Sequence, residues 1–190
     1  MVGHDPLRSA GPGLPEDRNL ALVGFMTAGK TQVGAALARL TGLAFVDVDA
    51  IVEGLEGMPV HRIFAEKGEP HFRRMEAAVL GDLCRGAGTI IGCGGGTVLV
   101  EENRALLAAR CVTVWLRVSR DEVLRRLEEP GSPRRPLLEG LDPEETVARL
   151  MPARDPLYRG ADLEVETDNR AVEAIAREIA LRLGLPVFEV

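Results

Sequence analysis

One short segment combines the residue types that bind the phosphates of a nucleotide. Residues 24–31 read Gly-Phe-Met-Thr-Ala-Gly-Lys-Thr, a full match to the pattern G-x-x-x-x-G-K-[ST]. Glycines permit a tight turn whose backbone N–H groups point at phosphate oxygens, and the start of the following helix adds partial positive charge. Lys30 is expected to reach the β- and γ-phosphates, and the Thr31 hydroxyl is expected to bind Mg²⁺. Because the chain has only two lysines, a chance match is rare, and the segment predicts a nucleoside triphosphate site.

A carboxylate near such a metal is also expected, and the second apolar run of the chain ends in two of them. Asp47 and Asp49 are two residues apart, and residues at that spacing on a strand face the same side of a sheet. Both are therefore predicted to face the crevice where open α/β sheets bind ligands. One would hold the metal, while the other accepts a proton from a substrate hydroxyl. The alternative is that both belong to a turn or a helix N-cap.

Three glycines in succession, Gly94, Gly95 and Gly96, follow the third apolar run. Glycine has no Cβ, so such a segment permits the backbone to approach a ligand closely. The alternative is a flexible turn without a binding role.

Arginines supply the cations that an anionic substrate and a transferred phosphoryl group need. The planar fork of Arg suits the two oxygens of a carboxylate, and a further cation can neutralise the phosphoryl group. A Pro- and Gly-rich loop at residues 129–143 contains Arg135 and is predicted to be a lid that closes and excludes water. Arg73 and Glu76 are one helical turn apart and are predicted to pair. For most of the 21 arginines, a solvated surface position is the better interpretation.

The elements that must position these residues follow from the hydrophobic pattern. Short apolar runs alternate with helix-length amphipathic segments, which predicts βαβ units and a parallel sheet of about five strands. The predicted strands are residues 20–23, 44–48, 89–93, 112–116 and 163–165. The predicted helices include residues 31–40, 105–110, 121–127 and 172–183. The strands are apolar rather than alternating because both faces of the sheet are predicted to be covered.

Length and spacing predict the domain organisation. A chain of 190 residues suits one domain, predicted at residues 19–190 and preceded by a flexible tail at residues 1–18. Residues 50–86 are too many for a simple crossover between two strands. They are therefore predicted to form an added subdomain of several helices.

Charge, hydropathy and cysteine content argue against several classes of function. The net charge of −6 disfavours general nucleic-acid binding. No apolar run of about 18 residues and no signal peptide is present, so neither membrane insertion nor secretion is indicated. The three cysteines form no CxxC pair, which disfavours a disulfide framework and a zinc site. A cytoplasmic protein without nucleic-acid or membrane partners is therefore expected, with a monomer as the simplest state.

Taken in order, these motifs resemble those of the shikimate kinase family over residues 19–183. The resemblance rests on the segment at 24–31, Asp47-x-Asp49, Ile63-Phe64, Phe72-Arg73-x-x-Glu76, Gly94–Gly96, Arg135-Pro136-Leu137-Leu138 and Arg154-x-Pro156-Leu157-Tyr158. It implies an α/β P-loop NTPase of the nucleoside-monophosphate-kinase-like class, with a five-stranded parallel sheet flanked by helices, a substrate-binding helical subdomain and a lid. The implied reaction is ATP-dependent phosphorylation of the 3-hydroxyl of shikimate, which gives shikimate 3-phosphate and ADP on the route to chorismate and the aromatic amino acids.

The resemblance also implies a role for each candidate residue, with Lys30, Asp49 and Arg135 as the catalytic set. The residues implied to bind ATP are Thr27, Ala28, Gly29, Lys30, Thr31, Gln32, Arg126 and Arg135. Those implied to bind shikimate are Asp49, Arg73, Gly94, Gly95, Gly96 and Arg154. Arg73 and Arg154 would hold its carboxylate, Arg126 would lie against adenine, and Thr31 and Asp47 would hold Mg²⁺.

Three features depart from the family pattern. Thr27 stands where Gly is common, and a positive φ there would strain a threonine. The loop at residues 126–135 is slightly longer than usual. The segment at 167–171 is shorter than the family's adenine-side loop, so none of its residues is assigned a role.

Two other functions stay open. A gluconate kinase-like enzyme of the same fold would share the phosphate-binding segment but not the combination of Asp49, Arg73 and Arg154. A non-catalytic ligand-sensing domain resembling this family would be expected to carry a DNA-binding or other partner segment, for which the 18-residue tail is too short.

Overall fold

Five parallel strands form the centre of the computed structural model, which describes residues 13–130, 135–138 and 140–188. In space the strands follow the order β2, β3, β1, β4 and β5, and each neighbouring pair is parallel. They are β1 (Asn19–Val23), β2 (Ala44–Asp47), β3 (Thr89–Gly92), β4 (Cys111–Arg117) and β5 (Leu163–Glu166). The predicted α/β class with a five-stranded parallel sheet is therefore confirmed.

Helices cover both faces of this sheet. Within the described residues they are α1 (Lys30–Thr41), α2 (Val48–Glu56), α3 (Val60–Lys67), α4 (Glu69–Leu83), α5 (Glu101–Arg110), α6 (Arg120–Leu127), α7 (Pro143–Tyr158) and α8 (Val172–Leu183). Short 3₁₀ turns occur at Thr97–Leu99 and Pro136–Leu138. In this described part of the chain, no helix is both long enough and apolar enough to cross a lipid bilayer.

The central strand β1 shows why a strand covered by helices is apolar on both faces, unlike the edge strand β5, whose residues alternate between buried and exposed and do not fit the predicted apolar pattern. Leu20 and Leu22 are fully buried in the cluster formed with α1 and α8, whereas Ala21 and Val23 are buried in the cluster formed with α2 to α5. Because successive side chains of a strand point to opposite faces, a strand covered on both sides has no polar face.

The register of the strands brings several loops to one edge of the sheet. Leu22 of β1 and Asp47 of β2 both pair with Gly92 of β3. The Cys93 N–H extends the pairing past the end of β3 by donating to the Leu22 carbonyl at 3.0 Å. The loops after β1, β2 and β3 therefore leave the sheet side by side, at the edge where open α/β sheets bind ligands.

The predicted strands agree with the structure to within one residue at every end. One of these small differences changes the interpretation of the site. Strand β2 ends at Asp47 and α2 begins at Val48, so Asp49 lies in the first turn of a helix. The prediction that Asp47 and Asp49 share one face of a strand is therefore wrong, and the N-cap alternative is correct for Asp47.

Three helices, α2, α3 and α4, occupy the segment between β2 and β3, so residues 50–86 do form several helices. A nearly buried carboxylate joins the three. Glu56 at the end of α2 accepts a hydrogen bond from Lys67 at the end of α3, and it lies 2.8 Å from His71 Nε2 of α4. Lys67, the second lysine of the chain, therefore has a structural partner.

The folded region begins earlier than the sequence predicts. The Gly13 N–H donates to the Leu183 carbonyl at 3.1 Å, and Arg18 Nη1 donates to the Cys111 carbonyl at 3.2 Å. Residues 13–18 are thus bonded to the domain, which corrects the tail boundary predicted at residue 18. The rest of the predicted tail lies outside the described residues.

Candidate active site

The loop between β1 and α1 holds the predicted phosphate-binding segment. Gly24 has a φ of 148°, and a Cβ at this position would lie 2.5 Å from the Leu116 carbonyl oxygen. Gly29 has a φ of 88° and immediately precedes α1, whose first N–H groups have no partners within the helix. The two glycines therefore permit a tight turn at the positive end of a helix, as phosphate binding requires.

The Lys30 side chain folds back over this loop. Its Nζ donates to the carbonyls of Gly24 at 2.8 Å and Phe25 at 2.9 Å. Burial lowers the pKa of Lys30 to about 8, while the nearby Asp49 opposes the shift. An ammonium group held by neutral carbonyls in a desolvated place is stabilised further when an anion enters.

The predicted metal ligands Thr31 and Asp47 lie in direct contact. The Thr31 hydroxyl donates to Asp47 Oδ2 at 2.6 Å, while Asp47 Oδ1 accepts from the N–H groups of Asp49 at 3.0 Å and Ala50 at 3.4 Å. Hydroxyl and carboxylate oxygens are ligands that Mg²⁺ prefers. Among the described residues, no group of three or more His, Cys, Asp or Glu side chains could hold a metal. Thr31 and Asp47 supply two such oxygens, and an ion held by them would complete its shell with phosphates and water, as Mg²⁺ does.

Asp49 places a carboxylate beside this pair, although it does so from a helix. Its Oδ1 is buried and has no hydrogen-bond partner in the described part of the chain. Burial, followed by the charges of Glu76 and Asp47, raises the pKa of Asp49 to about 6. Because an unsatisfied buried acceptor is destabilising, Asp49 Oδ1 is a candidate acceptor for a ligand hydroxyl.

Two adjoining cavities contain nearly all of the predicted site residues. The first, the P-loop cavity, has a volume of about 490 Å³, and the second, the helical cavity, has about 370 Å³. The P-loop cavity is lined by Thr27, Gly29, Lys30, Thr31, Gln32, Asp47, Asp49, Gly95, Arg126 and Arg135 of the predicted set. The helical cavity is lined by every residue predicted to bind the substrate, namely Asp49, Arg73, Gly94, Gly95, Gly96 and Arg154. The residues common to both cavities are Met26, Thr31, Asp47, Asp49, Gly95 and Arg135, so their ligands would meet there.

Arg73 of α4 supplies one cation of the helical cavity. Its Nη1 donates to Glu76 Oε2 at 2.7 Å, which confirms the predicted pairing, and its Nη2 donates to Glu69 Oε1 at 3.0 Å. Glu76 is fully buried, and its Oε1 accepts from the Thr97 hydroxyl at 2.5 Å. Arg73 Cζ also lies 5.3 Å from the centroid of the Phe72 ring. These contacts hold the guanidinium in one orientation, which suits a planar anion.

Arg154 of α7 supplies a second cation and is only 4% exposed. Its Nη1 donates to the Gly95 carbonyl at 3.2 Å, and its Cζ lies 5.6 Å from the centroid of the Phe25 ring. Tyr158, one turn further along α7, donates its hydroxyl to the same carbonyl at 2.7 Å. Burial lowers the pKa of Arg154, so an anionic partner would stabilise its charged form.

Two of the three glycines after β3, Gly94 and Gly96, are required by the packing of these charged groups. A Cβ at Gly96 would overlap the Arg73 guanidinium, and a Cβ at Gly94 would overlap the Glu76 carboxylate. The backbone therefore runs directly against functional side chains. A ligand contact by this run stays a prediction.

A third cavity, the side cavity, has a volume of about 390 Å³ and lies against the start of α1. Its lining includes Ala28, Gly29, Gln32 and Arg126 from the set predicted to bind ATP. Asn169 and Arg170, from the shortened segment after β5, line it as well. The sequence assigned no role to either of them.

Arg126 of α6 joins the phosphate-binding loop to that shortened segment. Its Nη1 donates to the Thr27 carbonyl at 2.9 Å, and its Nη2 donates to the Thr167 carbonyl at 2.7 Å. Its Nε donates to Glu122 Oε1 at 2.8 Å. Thr27 itself has a φ of 61°, so the positive φ anticipated as a source of strain is present.

The predicted lid at residues 129–143 lies partly outside the described residues. In the part that is described, Arg135 lines both the P-loop cavity and the helical cavity, and its Nε is buried without a hydrogen-bond partner. Leu137 lines the helical cavity, and the 3₁₀ turn that contains it lies against α3. Arg135 is thus located where the two cavities meet.

Some residues that line the cavities were not among the predicted site residues. Met26 lines both main cavities, and Glu53 lines the helical cavity. Glu53 had a usable signal, because it lies four residues after Asp49 and shares a helix face with it. The prediction of a strand at Asp49 concealed this helical spacing. Thr97 and Glu122 had no local signal, since they act through contacts with residues elsewhere in the chain.

Comparison with protein families gives one clear match. The family model described as "Shikimate kinase" matches residues 26–183. The shikimate kinase of Nitrobacter winogradskyi is 44% identical over 161 residues, which are 85% of this chain and 74% of that protein. The shikimate kinase of Bordetella avium is 42% identical over 171 residues, which are 90% of this chain and 81% of that protein.

Solved structures are similar in fold as well as in sequence. A structure described as shikimate kinase from Acinetobacter baumannii in complex with shikimate is 37% identical, with a TM-score of 0.82. The match covers 88% of this chain and 93% of that one. A gluconokinase from Sinorhizobium meliloti is 20% identical with a TM-score of 0.57, which shows a shared fold alone.

Proposed function

Because the chain belongs to the shikimate kinase family, we propose that it transfers the γ-phosphoryl group of ATP to the 3-hydroxyl of shikimate, giving ADP and shikimate 3-phosphate. One observation carries the proposal within this chain. Asp49 lines both the P-loop cavity and the helical cavity, and the helical cavity also contains Arg73 and Arg154 in fixed orientations. An organic acid and a nucleotide can therefore be held with their reacting groups at one place.

In this proposal the helical cavity binds shikimate. Arg73 and Arg154 hold the carboxylate, because two guanidinium groups with fixed orientations suit a planar anion. The backbone of Gly94–Gly96 contacts a ring hydroxyl. Asp49 accepts the hydroxyl that is to be phosphorylated, through the oxygen that has no partner within the described chain.

The P-loop cavity and the side cavity bind ATP in this proposal. The N–H groups of residues 27–32 surround the phosphates, and Lys30 exchanges its carbonyl partners for phosphate oxygens. Arg126 lies against adenine in the side cavity, beside Ala28, Gly29 and Gln32. Arg135 lies at the junction of the cavities, where it can reach the transferred group.

Thr31 and Asp47 are proposed to hold Mg²⁺, since their oxygens fit its chemistry. An ion held there would supply positive charge that neutralises the triphosphate. Asp47 would contribute its Oδ2, because its Oδ1 already caps α2.

The phosphoryl transfer is an in-line displacement. The substrate oxygen forms a bond to the γ-phosphorus, the bond from that phosphorus to the bridging oxygen of ADP breaks, and the hydroxyl proton passes to Asp49. Lys30 and Arg135 stabilise the charge that spreads over the transferred group. Closure of Arg135 and Leu137 over the cavities would exclude water as a competing acceptor.

Turnover of purified protein with ATP, Mg²⁺ and shikimate tests the proposal. ADP release is followed with a coupled assay, and the product is identified by mass spectrometry. Shikimate 3-phosphate is expected, and Lys30→Ala should abolish its formation. Turnover of gluconate in place of shikimate would favour the gluconate kinase alternative. Binding of shikimate without ADP release would favour the ligand-sensing alternative.

We also propose a cytoplasmic monomer without nucleic-acid or membrane partners, on the compositional grounds given above. Sedimentation equilibrium at micromolar concentration tests the oligomeric state, and a dimer mass would contradict it.

A further inference from the structure

Thr27 has a backbone conformation that threonine rarely adopts. Its φ of 61° lies in the left-handed region, where the Cβ of an L-residue approaches the following carbonyl too closely. Asn and Asp tolerate this region because their side chains can bond to the local backbone. The Thr27 hydroxyl makes no such bond, since its Oγ1 is buried without a partner among the described residues. Something other than its own side chain must therefore hold Thr27 in this conformation.

The Thr27 carbonyl has the partner that its side chain lacks. Arg126 Nη1 donates to this oxygen at 2.9 Å, from a position 99 residues further along the chain. A rotation of Thr27 out of the left-handed region would turn its peptide group and move the carbonyl away from Arg126. The hydrogen bond and the strained conformation are therefore linked.

The Arg126 guanidinium is itself fixed by three further bonds. Nε donates to Glu122 Oε1 at 2.8 Å, Nη2 donates to the Thr167 carbonyl at 2.7 Å, and Nη1 also donates to the Thr167 hydroxyl at 3.4 Å. Glu122 is buried and also accepts two hydrogen bonds from Arg125. Three donors in one plane define both the position and the orientation of the group, which a lysine ammonium could not do.

We infer that Arg126 is a positioning residue for the phosphate-binding loop, and that the presence of Thr27 makes this role necessary. The inference rests on the proposed function and deepens it. The bond to the Thr27 carbonyl holds the loop in the shape that directs its N–H groups at a triphosphate. A glycine at position 27 would adopt positive φ without strain, so its carbonyl would need no such support.

This role is separate from a contact with adenine. The four hydrogen bonds use the edges of the guanidinium, so its flat face stays available to a base in the side cavity. A contact with adenine predicts that Arg126 matters only for ligands that contain the base. The positioning role predicts that Arg126 also matters for a bare polyphosphate.

Binding of inorganic tripolyphosphate with Mg²⁺, measured by calorimetry, separates the two roles. Arg126→Lys keeps the charge but not the planar fork, and it should weaken tripolyphosphate binding about ten-fold. Arg125→Lys is the matched control, because Arg125 also lines the side cavity and bonds to the same Glu122, but its side-chain hydrogen bonds within the described residues go to Glu122 and Glu129 and not to the loop. It should leave binding within about two-fold of the wild type.

The link to Thr27 is tested by repeating the measurement with glycine at that position. Thr27→Gly combined with Arg126→Lys should bind tripolyphosphate within about two-fold of Thr27→Gly alone, because the loop no longer needs the bond. An equal loss in both backgrounds would overturn the link. Unchanged tripolyphosphate binding in Arg126→Lys, with weakened ATP binding, would overturn the positioning role altogether.

Circular dichroism of each variant shows whether weaker binding results from unfolding. If Arg126→Lys unfolds but its combination with Thr27→Gly folds, the inference is supported. If both unfold, Arg126 is a general structural residue and the inference fails. Failure of wild-type protein to bind tripolyphosphate would instead count against the proposed nucleotide site, so the two failures are distinguishable.

Discussion

The Thr31 hydroxyl lies 2.6 Å from Asp47 Oδ2 and joins the first turn of α1 to the end of β2. The other oxygen of the same carboxylate caps α2. Asp47 therefore caps α2 and, in the proposed function, also holds Mg²⁺, and Asn can perform only the first of these tasks. An Asn side chain retains an oxygen that accepts the N-cap hydrogen bonds, but it lacks the negative charge that attracts a metal ion.

This division of tasks gives a prediction for Asp47→Asn. The Mg²⁺ concentration that supports half-maximal velocity should rise about ten-fold, because a charged ligand becomes a neutral one. The free energy of unfolding should change by less than about 0.5 kcal/mol, because Asn and Asp are equivalent caps. Mg²⁺ titrations at saturating ATP and shikimate, with thermal unfolding as the control, check both. An unchanged Mg²⁺ requirement would remove Asp47 from the metal site.

Arg154→Lys tests the proposed carboxylate site. A buried lysine cannot reproduce the planar fork, so the KM for shikimate should rise about ten-fold or more, while the KM for ATP stays within about two-fold. Arg149→Lys, an exposed change on the same helix, is the matched control and should alter neither constant. Steady-state kinetics with each substrate varied in turn provide the measurement. If only the KM for ATP responds, Arg154 does not hold shikimate.

Gly96→Ala tests whether the glycine run shapes the substrate site. The added Cβ would overlap the Arg73 guanidinium, so Arg73 must shift and the KM for shikimate should rise about ten-fold. Gly81→Ala is the matched control on α4, because its Cβ would meet no atom within 4 Å. That control should preserve activity and stabilise the helix by about 0.5–1 kcal/mol. Equal kinetics in the two variants would refute the packing argument.

The fold could be predicted closely because the evidence for it is local. Residues 20–23 of β1 are apolar on both faces, and largely apolar runs form β3 and β4 between helical stretches. The edge strand β5 instead alternates buried and exposed residues. The phosphate-binding segment could be predicted equally well. Gly24, Gly29 and Lys30 are close in sequence, and each position requires its residue type because of the geometry of the loop. Such features depend on a few neighbouring residues and not on how distant parts of the chain meet.

The rest of the site depends on contacts that local sequence patterns do not predict. Asp49 was placed on a strand because a run of alternating apolar and acidic residues has a period of two, yet the Asp47 cap starts a helix there. Arg126 is one of 21 arginines, and its bond to Thr27 spans 99 residues, so no spacing rule predicts it. The family resemblance implies a place for Arg126 against adenine, which stays a prediction, but it does not imply the bond to the loop.

Glu122, which accepts a hydrogen bond from Arg126, is expected to make the free energy of unfolding depend on pH in the acidic range. Hydrogen bonds from Arg125 and then Arg126 lower the pKa of the Glu122 carboxyl from its usual 4.5 to about 2. A carboxyl whose pKa is lower in the folded state stabilises the fold above its unfolded pKa, and the contribution is lost as the pH falls toward its folded pKa. Glu122→Gln should therefore be less stable than the wild type at neutral pH, and the difference should shrink below about pH 4.5.

Chemical denaturation at a series of pH values from neutral to acidic measures this difference. Near pH 2 the wild-type carboxyl begins to be protonated in the folded state, so it comes to resemble the neutral amide of Glu122→Gln. Glu129→Gln is the control, because Glu129 pairs with the same Arg125 but is about half exposed, and an exposed pair contributes little. A Glu122→Gln difference that stays constant across the whole pH range would mean that lost packing, not lost charge, destabilises the variant.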